Sequence, residues 1–420
     1  MYEKILKIVG GKTLIGDVTI SGAKNAALPG LAATTLSSKK IKILNVPNVD
    51  DVIIMIKALR SMGSNIVFDS NIISAELNSI NSDVIAGKIA GSIRASILFL
   101  GPMLARNGFV RVSQPGGCSI GHRGINYHFE GLRKMGASIE IIDNDIVGKA
   151  DKLSGTDYTF PGKTVTGTEN LIMAASLAEG DTILRNCALE PEIDDLILLL
   201  NKMGADVKRE GKDNIIIIGK TSLDSAEHRI IPDRIEMGTY VIAACLVDND
   251  ITIKNTRPGL IKSLLDILKK MSIKVTVKNG SITVSPNKEM LPVNIETAPF
   301  PGFPTDLQAQ LMVLLTQTNG TSYIKESIFN NRFNHANELN KMGANISIKN
   351  DFAEIQGATN LKAHNSIFAT DLRASAALVL GALIAEGKTT INNASQLFRG
   401  YEDLPGKLSK LGAKIKVVNR

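Results

Sequence analysis

At 420 residues, with 44% hydrophobic and 21% charged side chains, the chain exceeds the size at which one core keeps growing, so two domains are expected. A formal charge of +7 is dispersed, and aromatic residues make up only 4%, which argues against a nucleic-acid stacking surface and leaves a small anionic substrate as the use of positive charge. Three cysteines are too few for a disulfide framework.

The start of the chain carries Glu3, Lys4 and Lys7 and builds no signal-peptide core. The longest apolar run, 374–385, is broken by Ser375 and Gly381 and falls short of the ~20 residues of a bilayer span. A cytoplasmic protein without a membrane span is expected.

A short motif, Leu-x-x-Met-Gly, recurs along the chain. Its fourth residues are Met62, Met135, Met203, Met271, Met342 and Leu411, spaced 68 to 73 apart, so the chain reads as six copies of one unit of ~70 residues. Each copy shows a helical stretch and a strand, as in LIMAASLAEGDTILRNC and ASAALVLGALIAEGKTTINN. An amphipathic helix follows, such as Asp194 to Met203, and ends at the glycine. A hairpin should close the unit, as in IKVTVKNGSITVSP with its Asn279-Gly280 turn. The class is α/β, with βαβαββ-type repeats. Units this long and mixed argue against a solenoid. The sixth copy ends one strand short at KIKVVNR, and EKILKIVGG near the start is a spare strand. Two three-repeat domains are therefore predicted, 22–231 and 1–21 with 232–420, with crossings near 21 and 232 that would form a hinge beside a substrate cleft.

Polar residues that interrupt the repeat are the functional candidates. Lys24 and Asn25 open an alanine-rich helix after the first crossing, where a helix N-terminus and a lysine suit a phosphate, unless the lysine is merely solvated. Arg94 in GSIRAS and Arg373 in TDLRAS enter apolar helices and need anionic partners, in a site or in a structural ion pair. Between them lies the loop RVSQPGGCSIGHRGINYH, Arg111 to His128. Its glycines and proline exclude a regular helix, and Cys118 sits there among Arg111, His122 and Arg123, surroundings that tune a thiol for reaction. Cys187 and Cys245 lie in apolar runs and read as core. The segment APFPGFPTDLQAQ exposes Asp306, either a helix N-cap or a carboxylate able to take a proton from a substrate hydroxyl. Arg332 and Arg399 precede repeat helices. Five arginines in at least four repeats, Arg94, Arg123, Arg332, Arg373 and Arg399, would suit a ligand with several negative charges. The five histidines lie at unrelated points, and no metal or cofactor is expected.

Taken together, SGAKNAALP, PGGCSIG, GFPTDLQAQ, NRFNHANEL, TDLRASAALVL and RGYED closely resemble the UDP-N-acetylglucosamine 1-carboxyvinyltransferase family of enolpyruvyl transferases, in order from Lys24 to Glu402. The resemblance implies two inverse α/β barrels with the active site between them. It implies transfer of the enolpyruvyl group of phosphoenolpyruvate to the 3-hydroxyl of UDP-N-acetylglucosamine, with release of phosphate, the first committed step of peptidoglycan synthesis. It makes Cys118 the general acid at the enol methylene, open to alkylation by fosfomycin, and Asp306 the carboxylate at the sugar hydroxyl. It puts Lys24, Arg123 and Arg399 around the phosphate and Arg332 and Arg373 near the carboxylate. Asn25, Arg94 and Ile328 become sugar-nucleotide or cleft contacts, and Lys163, Thr166 and Gly167 align with the segment that holds UDP. Gly124, Ile125 and Asn126 depart from the family, which usually has proline after the arginine and then an acidic residue. Uridine contacts at Gly124, Asn126 and Tyr127 rest on that altered segment. A 3-phosphoshikimate 1-carboxyvinyltransferase and a non-catalytic UDP-sugar sensor are the rival readings. The oligomeric state is left open.

Overall fold

The structure is a computed structural model and describes residues 3–82, 84–85, 93–114, 125–247, 249–285 and 289–419. They form two compact units, one of the described residues within 22–231 (the inserted unit) and one of 3–21 with the described residues of 232–419 (the terminal unit). Each has its own hydrophobic core.

All six described sheets have four strands and one order. In the sheet of the third repeat, Asp157–Thr159 runs parallel to Asp181–Arg185, which pairs antiparallel with Asn214–Ile218, with Asp206–Glu210 outermost. The helix Val165–Ala175 joins the first two strands and Pro191–Lys202 leads into the hairpin, giving βαβαββ. The second helix starts earlier than the sequence reading placed it, because Pro191, with no N–H to satisfy, is suited to the first helical turn.

Strands are shared across the sequence. Ala226–Arg229 runs parallel to Ile41–Leu44 and completes the first repeat, and Gly16–Thr19 runs parallel to Ile251–Lys254 and completes the fourth. Lys4–Gly10 lies between Gly387–Asn392 and Lys414–Asn419, antiparallel to both. The sixth hairpin thus draws its inner strand from the start of the chain.

The two helices of a repeat differ in composition, and burial follows. Helices such as Leu372–Ile384 are apolar on nearly every face and are almost wholly buried, and Val165–Ala175 is buried from Gly167 onward with its polar Thr168, Glu169 and Asn170 included. The second helices, such as Lys262–Lys270, bury one stripe: Leu264, Ile267 and Leu268. These outer helices end in the Leu-x-x-Met-Gly motif. In the third copy the Gly204 N–H donates to the Asn201 carbonyl and the Ala205 N–H to that of Leu200, both at 3.0 Å, and the other five copies repeat the pair. This Schellman closure requires a positive φ at the residue after the methionine, or after Leu411 in the sixth copy, and the five glycines there have φ of 93 to 111°. The fourth copy places Ser272 at φ 64° instead. All five methionines are fully buried, each contributing about 2 kcal/mol of burial.

Candidate active site

Candidate residues of the inserted unit stand at or just before the starts of helical segments. Lys24 is the first residue of Lys24–Ala33, and its Nζ lies 3.3 Å from Asp51 Oδ2, with the two side chains 13% and 6% exposed. Asn25 follows it, half-buried. Gly22 permits this entry, since a Cβ there would stand 1.7 Å from the Asn45 carbonyl oxygen. Arg94 opens a 3₁₀ segment, Arg94–Phe99, ahead of the helix Leu100–Asn107, rather than the continuous helix the sequence reading gave it. Cys118, Arg123 and Gly124 lie outside the described residues.

Asn126 and Tyr127 begin the helix Asn126–Lys134. The Tyr127 ring packs over Gly162, whose missing side chain leaves the hydroxyl 3.1 Å from where a Cβ would stand. Tyr127 is thus brought against the segment leading to Lys163, Thr166 and Gly167. Lys163 donates to the Cys187 carbonyl at 2.9 Å and to Asp213 Oδ2 at 2.6 Å, which holds the Asp213 carboxyl below its ordinary range. In this structure its charge is directed to Asp213. Thr164 caps the helix Val165–Ala175 by accepting from the Gly167 N–H. Cys187 is buried, and burial pushes its thiol up to about 12, in keeping with a core residue.

In the terminal unit the sequence separates three candidates that the fold joins. Asp306 Oδ1 accepts from Arg332 Nη2 at 2.6 Å and Oδ2 from Arg373 Nη2 at 2.8 Å. Both arginine side chains are nearly buried, at 3% and 6% exposure, whereas Asp306 is 28% exposed. Asp306 lies in the 3₁₀ turn Thr305–Leu307, for which no side-chain cap is formed, so the N-cap reading of this residue is corrected. Capping falls instead to Asp371, which accepts from the Arg373 and Ala374 N–H groups and lies 3.9 Å from Arg332 Nη1. Burial opposes charge on Arg373, yet Asp306 foremost, with Tyr401 and Asp233, raises its pKa above the ordinary value. Behind the clamp, Gln310 Nε2 donates to the Asp306 carbonyl at 3.0 Å and to the Tyr401 hydroxyl at 3.0 Å.

Ile328 stands in a turn tied to the same place. Its N–H donates to Glu326 Oε1 at 2.9 Å, while Glu326 Oε2 accepts from Thr305 Oγ1 at 2.9 Å. Arg399 ends the segment Ala394–Arg399, half-buried, with Nη1 donating to Gln396 Oε1 at 3.2 Å. Sequence reasoning missed Asp51, Glu326, Asp371 and Tyr401. Of these only Asp371, directly before an apolar helix, carried a readable signal, that of a cap. Chemically, two charge-assisted hydrogen bonds fix the Asp306 carboxylate in place, and they come from guanidiniums that stay charged, so the group they hold is an ionised carboxylate, an acceptor and not a donor.

Among the described residues no group of histidine, cysteine and carboxylate side chains is arranged to hold a metal ion, and no helix is long and apolar enough to cross a membrane.

Residues 8–408 match the family described as EPSP synthase (3-phosphoshikimate 1-carboxyvinyltransferase). A UDP-N-acetylglucosamine 1-carboxyvinyltransferase of Pelagibacter ubique is 46% identical over 99% of this chain and 100% of its own length. One from Aliarcobacter butzleri is 44% identical, covering 98% of each. Among solved structures, the enolpyruvyl transferase NikO from Streptomyces tendae superimposes with a TM-score of 0.91 at 25% identity over the whole of both chains. An EPSP synthase from Acinetobacter baumannii reaches 0.78 at 19% identity, covering 99% and 100%, a likeness of fold. With the fold of an enolpyruvyl transferase and end-to-end identity to these relatives, the chain belongs to the UDP-N-acetylglucosamine 1-carboxyvinyltransferases within the EPSP synthase family.

Proposed function

We propose that the chain transfers the enolpyruvyl group of phosphoenolpyruvate to the 3-hydroxyl of UDP-N-acetylglucosamine, releasing inorganic phosphate, in the committed step of peptidoglycan synthesis in the cytoplasm. The observation that carries the reading is the Asp306 carboxylate, partly open to solvent yet gripped by two buried guanidiniums. A fixed, ionised carboxylate that solvent can reach suits a proton acceptor at a sugar hydroxyl.

The reaction proceeds by addition and elimination. The 3-oxygen bonds to the carbon that bears phosphate, its proton passes to Asp306, and the enol methylene gains a proton from Cys118. The resulting tetrahedral ketal retains phosphate and carboxylate. The Cys118 thiolate then takes back a methyl proton as phosphate leaves with the proton held by Asp306 and the enol ether is restored, so both side chains return to their starting state and no oxidant or further reactant is needed. Fixed cations stabilise the charge that builds along this path. Lys24, Arg123 and Arg399 are assigned to the phosphate, with Lys24 exchanging part of its pairing with Asp51 for the ligand. Arg332 and Arg373 hold Asp306 and offer their remaining N–H groups to the carboxylate of phosphoenolpyruvate. Asn25, Arg94, Ile328, Lys163, Thr166 and Gly167 are assigned to the sugar nucleotide, and Asn126 and Tyr127 to its uridine.

The test is phosphate release from phosphoenolpyruvate with UDP-N-acetylglucosamine or shikimate 3-phosphate as acceptor, in the native chain and in Cys118→Ser. Release with the UDP-sugar alone, much reduced by the substitution, is expected. Release with shikimate 3-phosphate would transfer the assignment to the sister reaction. Binding of the UDP-sugar without release would mark a sensor.

A further inference from the structure

His128 is 1% exposed and sits in a hydrogen-bond chain that has one consistent sense. The chain starts from a backbone donor. The Gly101 N–H donates to Asn170 Oδ1 at 2.6 Å, which turns the Asn170 amide nitrogen the other way. That nitrogen gives one hydrogen to the Ile97 carbonyl at 2.7 Å and faces His128 Nδ1 at 2.9 Å, so Nδ1 accepts. Burial foremost, and then the Arg94 charge, lower the His128 pKa to about 3, which keeps the ring neutral with its single hydrogen on Nε2. Nε2 lies 3.2 Å from Thr166 Oγ1 and donates to it.

The Thr166 hydroxyl therefore receives one hydrogen bond and has its own hydrogen to give. Its neighbour Thr168 spends that hydrogen on the Thr164 carbonyl at 2.7 Å, as threonines within helices do. Thr166 is the second residue of Val165–Ala175, where no helical carbonyl lies four residues back. It is half-buried, so a ligand can reach it. We infer that His128, oriented by Asn170, is a positioning residue that fixes Thr166 as a hydrogen-bond donor to an acceptor oxygen of the sugar-nucleotide substrate. The ligand class rests on the functional reading above; the sense of the hydrogen bonds does not. A hydroxyl held as donor favours oxygens that only accept, as those of a diphosphate do.

Calorimetric binding of UDP-N-acetylglucosamine and steady-state kinetics would be measured for the native chain, Thr166→Val, His128→Leu, His128→Gln and the Thr166→Val/His128→Leu double variant. Loss of one such bond weakens binding by about three- to ten-fold, so both Thr166→Val and His128→Leu are expected to raise Kd for the UDP-sugar by that factor and leave KM for phosphoenolpyruvate unchanged. The double variant should bind no worse than Thr166→Val alone, because His128 acts through Thr166. Glutamine, whose amide nitrogen can stand where Nε2 stood, should recover most of the loss. Additive losses, or native affinity in His128→Leu, would overturn the inference. Should the leucine variant fail to fold, the imidazole ¹⁵N shifts of the native chain decide. A neutral ring protonated at Nε2 and untitrated from about pH 5 to 8 supports the inference. A ring protonated at Nδ1, or one titrating near the ordinary histidine value, sinks it. A native chain that binds no UDP-sugar overturns the functional reading and the ligand named here, and the nitrogen spectrum still judges His128.

Discussion

Two buried guanidiniums grip the Asp306 carboxylate, and the proposed reaction makes the same carboxylate the proton acceptor. Asparagine there would turn an amide N–H₂ toward one guanidinium and remove the proton acceptor. Asp306→Asn should lower kcat at least about 100-fold, the lower range for loss of a general base. It should also lower stability by about 3 kcal/mol in urea titration, since a buried charge is left unpaired. Near-native kcat would remove Asp306 from the chemistry. A second residue gives a pH signature. Glu236 is buried, accepting from the Ser21 N–H at 2.7 Å and from Lys407 Nζ at 2.5 Å. Burial raises its pKa to about 7, with Lys407 opposing. The folded state thus holds this proton more tightly than the unfolded chain. The stabilisation is complete below about pH 4.5 and is lost as pH climbs through 7, a difference of up to about 3 kcal/mol. Stability measured at pH 5 and pH 8 should diverge in the native chain and converge in Glu236→Gln. An unchanged difference in the variant would reassign the effect to other groups.

At the scale of elements, the repeated helix end offers a comparison within one molecule. Ser272 holds a left-handed conformation that five glycines hold elsewhere, at a cost of about 1 kcal/mol for an L-residue. Ser272→Gly should stabilise by somewhat under that amount, because glycine also loosens the unfolded chain, and Gly204→Ser, in open space, should destabilise by a similar amount. Denaturation midpoints that move the other way would show that the cap is not what sets these residues. This periodic layer was legible in the sequence because a methionine and a glycine at fixed spacing report a local event, the end of a helix. The two helices and hairpin of each copy followed from apolar period and turn chemistry in the same way. Pairing was not legible. Asp306 meets Arg332 and Arg373 across 26 and 67 residues, and His128 meets Asn170 across 42, distances over which no local pattern extends. The candidates themselves were visible as polar residues in apolar surroundings, while their holders, Asp51, Glu326 and Tyr401, looked like ordinary loop or surface residues.

For the molecule as a whole, the decisive element is the strand Lys4–Gly10, which is interior to its sheet and hydrogen-bonded on both sides. Its Leu6 and Ile8 are fully buried in the core of the terminal unit. Deleting residues 1–10 should therefore expose the amides of Gly387–Asn392 and Lys414–Asn419 to rapid hydrogen exchange and lower the unfolding midpoint of the terminal unit, while the inserted unit keeps its protection. Equal protection in the truncated and native chains would show that the strand is dispensable.

That same strand imposes an order on biosynthesis. All strands of the inserted unit have been translated once Arg229 leaves the ribosome, but Lys4–Gly10 must wait for Gly387 and then for Asn419. At about 5 to 20 residues per second this is an interval of roughly 20 to 80 s. Throughout it an apolar segment, relieved only by Lys4 and Lys7, has no sheet to join. The nascent chain thus carries one finished unit and an unsatisfied strand, and that strand's sheet closes only when Lys414–Asn419 has been made.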